Sequence, residues 1–145
     1  MRVLVQRVLS SSVEVDNKVV GEINNGLLLL VGFTEGDSIK EIEYMVDKVI
    51  NLRIFDDENG VMNKSLLDVG GSILSVSQFT LYADASKGRR PSYVKALGGD
   101  KSILLYDEFN KKLNKTGINI QTGIFGAEMK VNLINDGPIT IMLEK

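Results

Sequence analysis

A chain of 145 residues that is 43% hydrophobic and 25% charged is long enough to bury one core, so we expect a single domain over residues 1–145. The net charge of −2 excludes a protein that coats nucleic acid nonspecifically, because such binding needs an excess of Lys and Arg. The absence of His and Cys excludes a Ser-His-Asp triad, a Cys-His pair and a zinc site with imidazole or thiolate ligands.

The first third of the chain has the pattern of β-strands. Residues 2–10 alternate loosely, segments 12–16 and 18–23 flank a turn at Asp16-Asn17, and residues 26–33 form a continuous apolar run. Such a run is typical of a strand buried on both faces. Together these segments predict an antiparallel meander. No apolar run here has the length of a signal peptide or a membrane span, so we expect a cytoplasmic protein without a membrane partner.

Two amphipathic helices follow from the apolar spacing. Ser38 and Glu41 have the spacing of a capping box, and they predict a helix that runs to about Leu52. Its expected buried face carries Ile42, Val46 and Val49. A second helix is expected over residues 101–116, with Gly117 as its left-handed stop. Its expected buried face carries Leu105, Phe109 and Leu113.

The remaining segments read as strands and loops. After a turn at Asn59-Gly60, residues 72–81 have strand character and residues 83–100 are loop-like. Near the end, residues 129–133 alternate, a turn falls at Asp136-Gly137, and alternation resumes over residues 139–143. The predicted fold is therefore α/β (α+β), with largely antiparallel sheets packed in layers against two helices.

Two short segments place unusual chemistry at strand junctions. Ser77-Gln78-Phe79-Thr80 brings amide and hydroxyl groups to a strand end, although Ser and Thr are also common on ordinary half-exposed strands. Asn135-Asp136-Gly137-Pro138 brings a proline to a junction where Asp-Gly is ordinary hairpin chemistry and a proline can open an edge strand. From the residues alone, both interpretations of each segment stay open.

A basic loop stands out in a chain that is acidic overall. Lys87, Arg89 and Arg90 surround Gly88 and precede Pro91. Such clusters are usually solvated surface, but they also make phosphate contacts. The loop is therefore a candidate contact for the end of an RNA.

Six segments resemble the signatures of the D-aminoacyl-tRNA deacylases, also called D-tyrosyl-tRNA deacylases. They occur in that family's order, without gaps, over essentially the whole chain: 53–55, 65–71, 77–83, 88–92, 126–129 and 135–138. The chain departs from the family at Tyr93, where Phe is expected, and at residues 96–99, where many members carry prolines. Both departures lie outside the two segments that resemble the family's active site.

The resemblance implies a homodimer that acts on the 3′ end of aminoacyl-tRNA. Each active site would join Ser77, Gln78, Phe79 and Thr80 of one subunit to Gly137 and Pro138 of the other. In the family this Gly-Pro bond is cis, and Arg7 would fix its orientation. Phe79, Phe125 and Met129 would surround the terminal adenine, and Lys87, Arg89 and Arg90 would contact the tRNA.

The mechanism needs a nucleophile, a proton acceptor and donors for the developing oxyanion. Backbone N–H groups near Phe79 and Thr80 can supply the donors. Either Thr80 attacks, or a water attacks with help from the ribose 2′-hydroxyl of the substrate. We favour the water, because a threonine without a neighbouring base is a weak nucleophile. No cofactor and no metal are expected. A rigid Gly137-Pro138 wall would reject L-aminoacyl groups and admit glycine.

Two other functions stay open at this point. A non-catalytic module that binds the tRNA end would use the basic loop without releasing amino acid. A hydrolase of small D-amino esters would have no use for that loop, and uncharged tRNA would not compete with its substrates. Both alternatives can therefore be tested with purified protein.

Overall fold

A computed structural model describes all 145 residues of the chain. The strands are β1 (Arg2–Val15), β2 (Lys18–Ile23), β3 (Gly26–Gly32), β4 (Phe55–Asp56), β5 (Met62–Lys64), β6 (Ser72–Ser77), β7 (Ile120–Thr122) and β8 (Lys130–Glu144). The helices are α1 (Ile39–Asn51), α2 (Leu66–Val69) and α3 (Gly99–Asn114), and a 3₁₀ turn covers Phe79–Tyr82. No helix is long and apolar enough to span a membrane.

The main sheet mixes antiparallel and parallel pairs. Its order is β2-β1-β3-β6-β7, and β8 also pairs with β1. β1 is antiparallel to β2, β3 and β8, whereas the β3–β6 and β6–β7 pairs are parallel. The predicted mixed class with layered sheets and helices is confirmed. The parallel half was not predicted, because parallel partners lie far apart in the sequence.

The predicted meander is wrong. β2 pairs with residues 11–15 of β1 and β3 pairs with residues 2–8, so the two strands share β1 and are not neighbours. A strand of 14 residues is long enough to pair with both. The turn at Asp16-Asn17 is confirmed, and both residues have positive φ, 51° and 60°. That conformation matches the two-residue turns of antiparallel hairpins.

The last strand is continuous where the sequence predicted a turn. β8 pairs with β1 along almost its full length, but Gln6 faces Thr140 while Val8 faces Asn135. Four residues of β8 therefore lie opposite the single residue Arg7 of β1. We call the displaced residues 136–139 the β8 bulge. Asn135 closes its base, because its side-chain amide donates to the carbonyls of Arg7 (2.9 Å) and Ile139 (3.0 Å).

Helix α1 and its capping box at Ser38 are confirmed, and the helix ends at Asn51. The second predicted helix is α3, and it begins two residues earlier than expected, at Gly99. Helix α2 was missed because it is only four residues long, although Ser65 and Asp68 form a capping box there. The predicted strand 72–81 stops at Ser77, because the chain turns into the 3₁₀ conformation at Phe79.

The sheet is buried on both faces around β3. Leu27, Leu29 and Val31 belong to a core of 19 buried residues that includes α1 and α3, whereas Leu28 belongs to a second core of six on the other face. The prediction of a strand buried on both faces is therefore confirmed. The second core contains Val76, the residue before Ser77. Packing on this core therefore fixes the position of the end of β6.

Candidate functional site

A cavity of about 650 Å³ opens where β6 ends. Ser77, Gln78 and Phe79 line it, together with Phe125 and Met129 from the segment between β7 and β8. Five of the predicted site residues therefore meet around one space. Its other lining residues are Val31, Gly32, Val76, Tyr93, Ala96, Leu97, Gly98, Gly99, Ser102, Gly126, Ala127 and Val131.

The sequence interpretation missed the part of this wall that comes from the loop before α3 and from the first turn of that helix. Gly98, Gly99 and Ser102 lie there, and Tyr93 precedes them. The glycine pair was the available signal, since glycines often mark places where a ligand approaches the backbone. Thr80, Arg7, Gly137 and Pro138 do not line the cavity, and neither do the cations of the basic loop.

The 3₁₀ turn begins beside the cavity with the N–H groups of Phe79 and Thr80. The bonds at its two ends run from Leu81 N to Gln78 O and from Ala83 N to Thr80 O, and no side chain and no turn or loop carbonyl accepts from Phe79 N or Thr80 N. The first N–H groups of a helical turn have no partner within the turn. The Gln78 side-chain amide donates to the Thr80 hydroxyl, which therefore serves as an acceptor.

The cavity wall contains almost nothing that titrates. No carboxylate or amine lines it, and its single ionisable side chain is Tyr93. No three acidic residues in the chain come together as a metal site. The wall offers backbone N–H groups, two serine hydroxyls and an amide, so its chemistry is that of positioning and of stabilising a developing negative charge.

A buried hydrogen bond ties the two sides of the cavity together. The carbonyl of Ser75 accepts both from Gly123 N (3.0 Å) and from the Tyr106 hydroxyl (2.8 Å). Burial raises the pKa of Tyr106, so this hydroxyl keeps its proton and donates. The Tyr106 ring also packs against Phe125, with the ring centroids 5.8 Å apart. The end of β6 and the Phe125 segment are thus held in register.

Arg7 holds the β8 bulge from inside. Its side chain is buried, and Nη1 donates to the carbonyl of Ile54 at 2.7 Å. Its Nε lies 2.8 Å from a carboxylate oxygen of Asp136, an ionic contact in which the N–H is not aimed at that oxygen. A planar guanidinium can make several such contacts at once. The bulge is therefore anchored at its first residue.

The tip of the bulge faces outward. Gly137 and Pro138 are exposed, and the peptide bond between them is cis. Gly137 has a φ of +111°, and a Cβ there would lie 2.8 Å from Ile139 Cγ1 and 3.3 Å from Arg7 Nη2. Only glycine fits this backbone without a shift. The tip lies outside the cavity wall of its own chain.

The basic loop is closed by a pair of backbone hydrogen bonds between Asp84 and Ser92, each 2.8 Å long. Hydrogen bonds from Ser86 lower the pKa of Asp84, whose carboxylate also lies 3.5 Å from Lys95 Nζ. The three cations at the loop tip are exposed and have no carboxylate within ion-pair distance: Lys87, Arg89 and Arg90. Their charge is available to an anionic ligand.

Comparison with known proteins gives one consistent family. The family model described as D-Tyr-tRNA(Tyr) deacylase matches residues 4–144. A protein named D-aminoacyl-tRNA deacylase from Clostridium botulinum (strain Langeland) is 56% identical over 144 residues, which cover 99% of this chain and 97% of that protein. A protein of the same name from Clostridium tetani is also 56% identical, with the same coverage.

Two solved structures share the fold. One, described as "c-Myc DNA Unwinding Element Binding Protein", has a TM-score of 0.94 at 41% identity and covers 100% of this chain and 99% of its own. The other is described as "Structural Analysis of a probable eukaryotic D-amino acid tRNA deacylase". It has a TM-score of 0.84 at 21% identity, with 98% and 97% coverage, and this likeness shows the fold alone.

Proposed function

Since this chain belongs to the D-aminoacyl-tRNA deacylase family and is an enzyme of that family, we propose that it hydrolyses the ester of D-aminoacyl-tRNA in the cytoplasm. The products would be free D-amino acid and tRNA. The observation that supports this assignment to a site is the cavity of about 650 Å³ beside the first N–H groups of the 3₁₀ turn, those of Phe79 and Thr80. Its volume is within the range of pockets that enclose small ligands, about 300–1,000 Å³.

The terminal adenosine would occupy the apolar part of the cavity. Phe79, Phe125 and Met129 supply aromatic and thioether surface there. Unstacked bases at RNA ends are commonly bound on aromatic rings. The packing of Tyr106 against Phe125 supports this placement, because it restricts the ring that the base would contact.

The cleavage step would be hydrolysis assisted by the substrate. A water oxygen attacks the ester carbonyl, the ribose 2′-hydroxyl relays the proton, and the ester C–O bond breaks as the 3′-oxygen leaves with that proton. The N–H groups of Phe79 and Thr80 stabilise the oxyanion. The absence of a carboxylate or amine from the cavity wall supports this route, because the protein offers no general base there.

A second copy of the chain would complete the site. The β8 bulge is built and anchored, yet it lies outside the cavity wall of its own chain. Exposed apolar side chains precede it on β8, at Leu133 and Ile134, and Leu9 is exposed on the paired strand β1. A twofold dimer would cover such side chains and bring each bulge to the partner. We therefore propose a homodimer with sites shared between subunits.

In this arrangement Gly137 and Pro138 of one subunit would form a wall at the α-carbon of the substrate bound by the other. A D-residue would place hydrogen against the wall, whereas an L-residue would drive its β-carbon into it. Glycine has no β-carbon and would be admitted. A steric obstacle suits this task, because D- and L-forms carry the same atoms and attraction alone separates them weakly.

We expect purified protein to release tyrosine from D-tyrosyl-tRNA over many turnovers and to leave L-tyrosyl-tRNA intact. Glycyl-tRNA should be cleaved as a side substrate. The measurement is the rate of loss of charged tRNA with protein far below substrate concentration. Equal rates on D- and L-tyrosyl-tRNA would contradict the wall. No release above the spontaneous rate of ester hydrolysis would favour a tRNA-end binding module instead.

Full activity is also expected to survive exhaustive chelation, because the proposed chemistry uses only backbone donors and the ribose hydroxyl. The measurement compares turnover of D-tyrosyl-tRNA before and after dialysis against a chelator, with magnesium returned to the tRNA alone as the control. If activity were lost and returned only when a divalent ion was added to the protein, the metal-free mechanism would be wrong.

A further inference from the structure

An aromatic pair lies at the mouth of the cavity. The rings of Phe79 and Tyr93 meet edge to face, with centroids 5.2 Å apart and planes at 67°. Phe79 is 54% exposed and Tyr93 is 43% exposed, although both line the cavity. An edge-to-face pair leaves at least one face of each ring uncovered by its partner. Two large apolar rings are therefore presented to solvent beside the space proposed for the terminal adenosine.

Tyr93 lies next to the basic loop. Tyr93 directly follows Ser92, whose hydrogen bonds with Asp84 close that loop. Beyond this closure stand Lys87, Arg89 and Arg90, exposed and unpaired. Tyr93 thus lines the cavity and directly follows the loop that carries the three free cations. Single-stranded nucleic acid is bound by this combination of stacking rings and cations that follow the phosphates.

We propose that Tyr93, supported by Phe79, is a stacking platform for the base of the nucleotide that precedes the terminal adenosine, and that the phosphates beyond it run toward the basic loop. This inference rests on the proposed function, since the occupant is the same RNA end. It adds the direction in which the RNA strand would run across the protein. It also assigns a role to Tyr93, a position where the chain departs from the Phe expected in the family.

The experiment compares two minimal substrates: the D-tyrosyl ester of adenosine and the D-tyrosyl ester of the dinucleotide cytidylyl-adenosine. For the unmodified protein, kcat/KM should be about tenfold higher on the dinucleotide, as expected for stacking of one base on an aromatic ring. Tyr93→Ala should abolish that gain, whereas Tyr93→Phe keeps the ring and should preserve it. Tyr44→Ala is the matched control, because Tyr44 is 44% exposed on α1 and does not line the cavity.

A second measurement does not depend on turnover. A short RNA that carries no amino acid and has 2-aminopurine in place of the penultimate base should lose fluorescence on binding the unmodified protein and Tyr93→Phe. It should lose less on binding Tyr93→Ala. Circular dichroism would confirm that each variant folds.

The outcomes separate this inference from the function on which it rests. The platform is wrong if kcat/KM is no higher on the dinucleotide ester than on the adenosine ester, or if Tyr93→Ala lowers kcat/KM on both esters by the same factor. It is also wrong if the 2-aminopurine fluorescence change on binding is the same for Tyr93→Ala as for the unmodified protein. Failure of the proposed function looks different, since the unmodified protein would then leave full-length D-tyrosyl-tRNA uncleaved.

Discussion

Removing the 2′-hydroxyl from the terminal ribose of D-tyrosyl-tRNA is expected to lower kcat by about 10²- to 10⁴-fold, the usual contribution of a positioned proton-transfer group. The reason is the composition of the cavity wall, where no carboxylate or amine can replace the missing hydroxyl. The measurement is single-turnover hydrolysis of 2′-deoxy and normal substrates, with binding measured separately.

Thr80→Ala should have a much smaller effect on the same assay, about tenfold or less. The substitution removes the acceptor for the Gln78 amide, and a neutral hydrogen bond contributes about 0.5–1.5 kcal/mol. It leaves the N–H of residue 80 in place. Thr80→Ser is the matched control, because it keeps the hydroxyl. Loss of turnover in Thr80→Ala, or a tyrosyl ester trapped on Thr80, would identify threonine as the nucleophile and contradict assistance by the substrate.

Gly137→Ala is expected to reduce kcat/KM on D-tyrosyl-tRNA by about 10²-fold, the cost of misplacing a positioning group by about 1 Å. The added methyl would lie 2.8 Å from Ile139 Cγ1 and 3.3 Å from the buried guanidinium of Arg7, so the tip of the bulge must shift. The wall that the bulge would present to the partner's substrate moves with it. The assay is steady-state deacylation on D-tyrosyl-tRNA.

Gly60→Ala provides the matched control. Gly60 also has positive φ, +74°, but a Cβ there meets nothing within 4 Å. Gly60→Ala should lose about 1–2 kcal/mol of stability from its left-handed backbone, and Gly137→Ala should lose more, because its methyl also meets Ile139. Only Gly137→Ala should lose activity. Thermal unfolding of both proteins separates the two effects. A Gly137→Ala protein that cleaves D-tyrosyl-tRNA at the normal rate would show that the wall does not act on the substrate.

The sequence predicted those elements whose signals are local. The capping box at Ser38 and the left-handed stop at Gly117 lie within one turn of the helix ends they mark, and the helices are found there. The exchange of partners along β1 was not predictable in the same way. Pairing with β2 and β3 depends on which edge β8 occupies, and β8 lies more than 100 residues away.

The β8 bulge shows why one local pattern misled. Asp136-Gly137 has the composition of a hairpin turn, but the chain continues in the same direction and only bulges outward. The difference is decided by Asn135, whose amide bridges the two sides, and by Arg7 from another strand. The side chain of Arg7, from a strand near the other end of the chain, thus helps to select between two conformations that the local sequence allows equally.

For the candidate site, resemblance to a family gave more than the residue pattern did. Ser77 and Phe125 approach each other only because β6 and β7 pair in parallel, which no local periodicity indicates. Tyr93 was seen as a departure from the family pattern and not as a wall of the cavity. Its position depends on how the loop between Asp84 and Ser92 closes, and that closure uses backbone bonds that carry no sequence signal.

The single strand β8 has a consequence for how this protein tolerates changes in length. Val131, near its beginning, borders the cavity, and Gly137 lies six positions further along the same strand. Because successive side chains of a strand point to opposite faces, inserting or deleting one residue between them would turn the following part of the strand over. The number of residues between Val131 and Gly137 therefore cannot change by one without turning the bulge to the other face of the sheet. Insertions should be accepted instead in the exposed loop between Asp84 and Ser92, because they would not shift the register of a strand there.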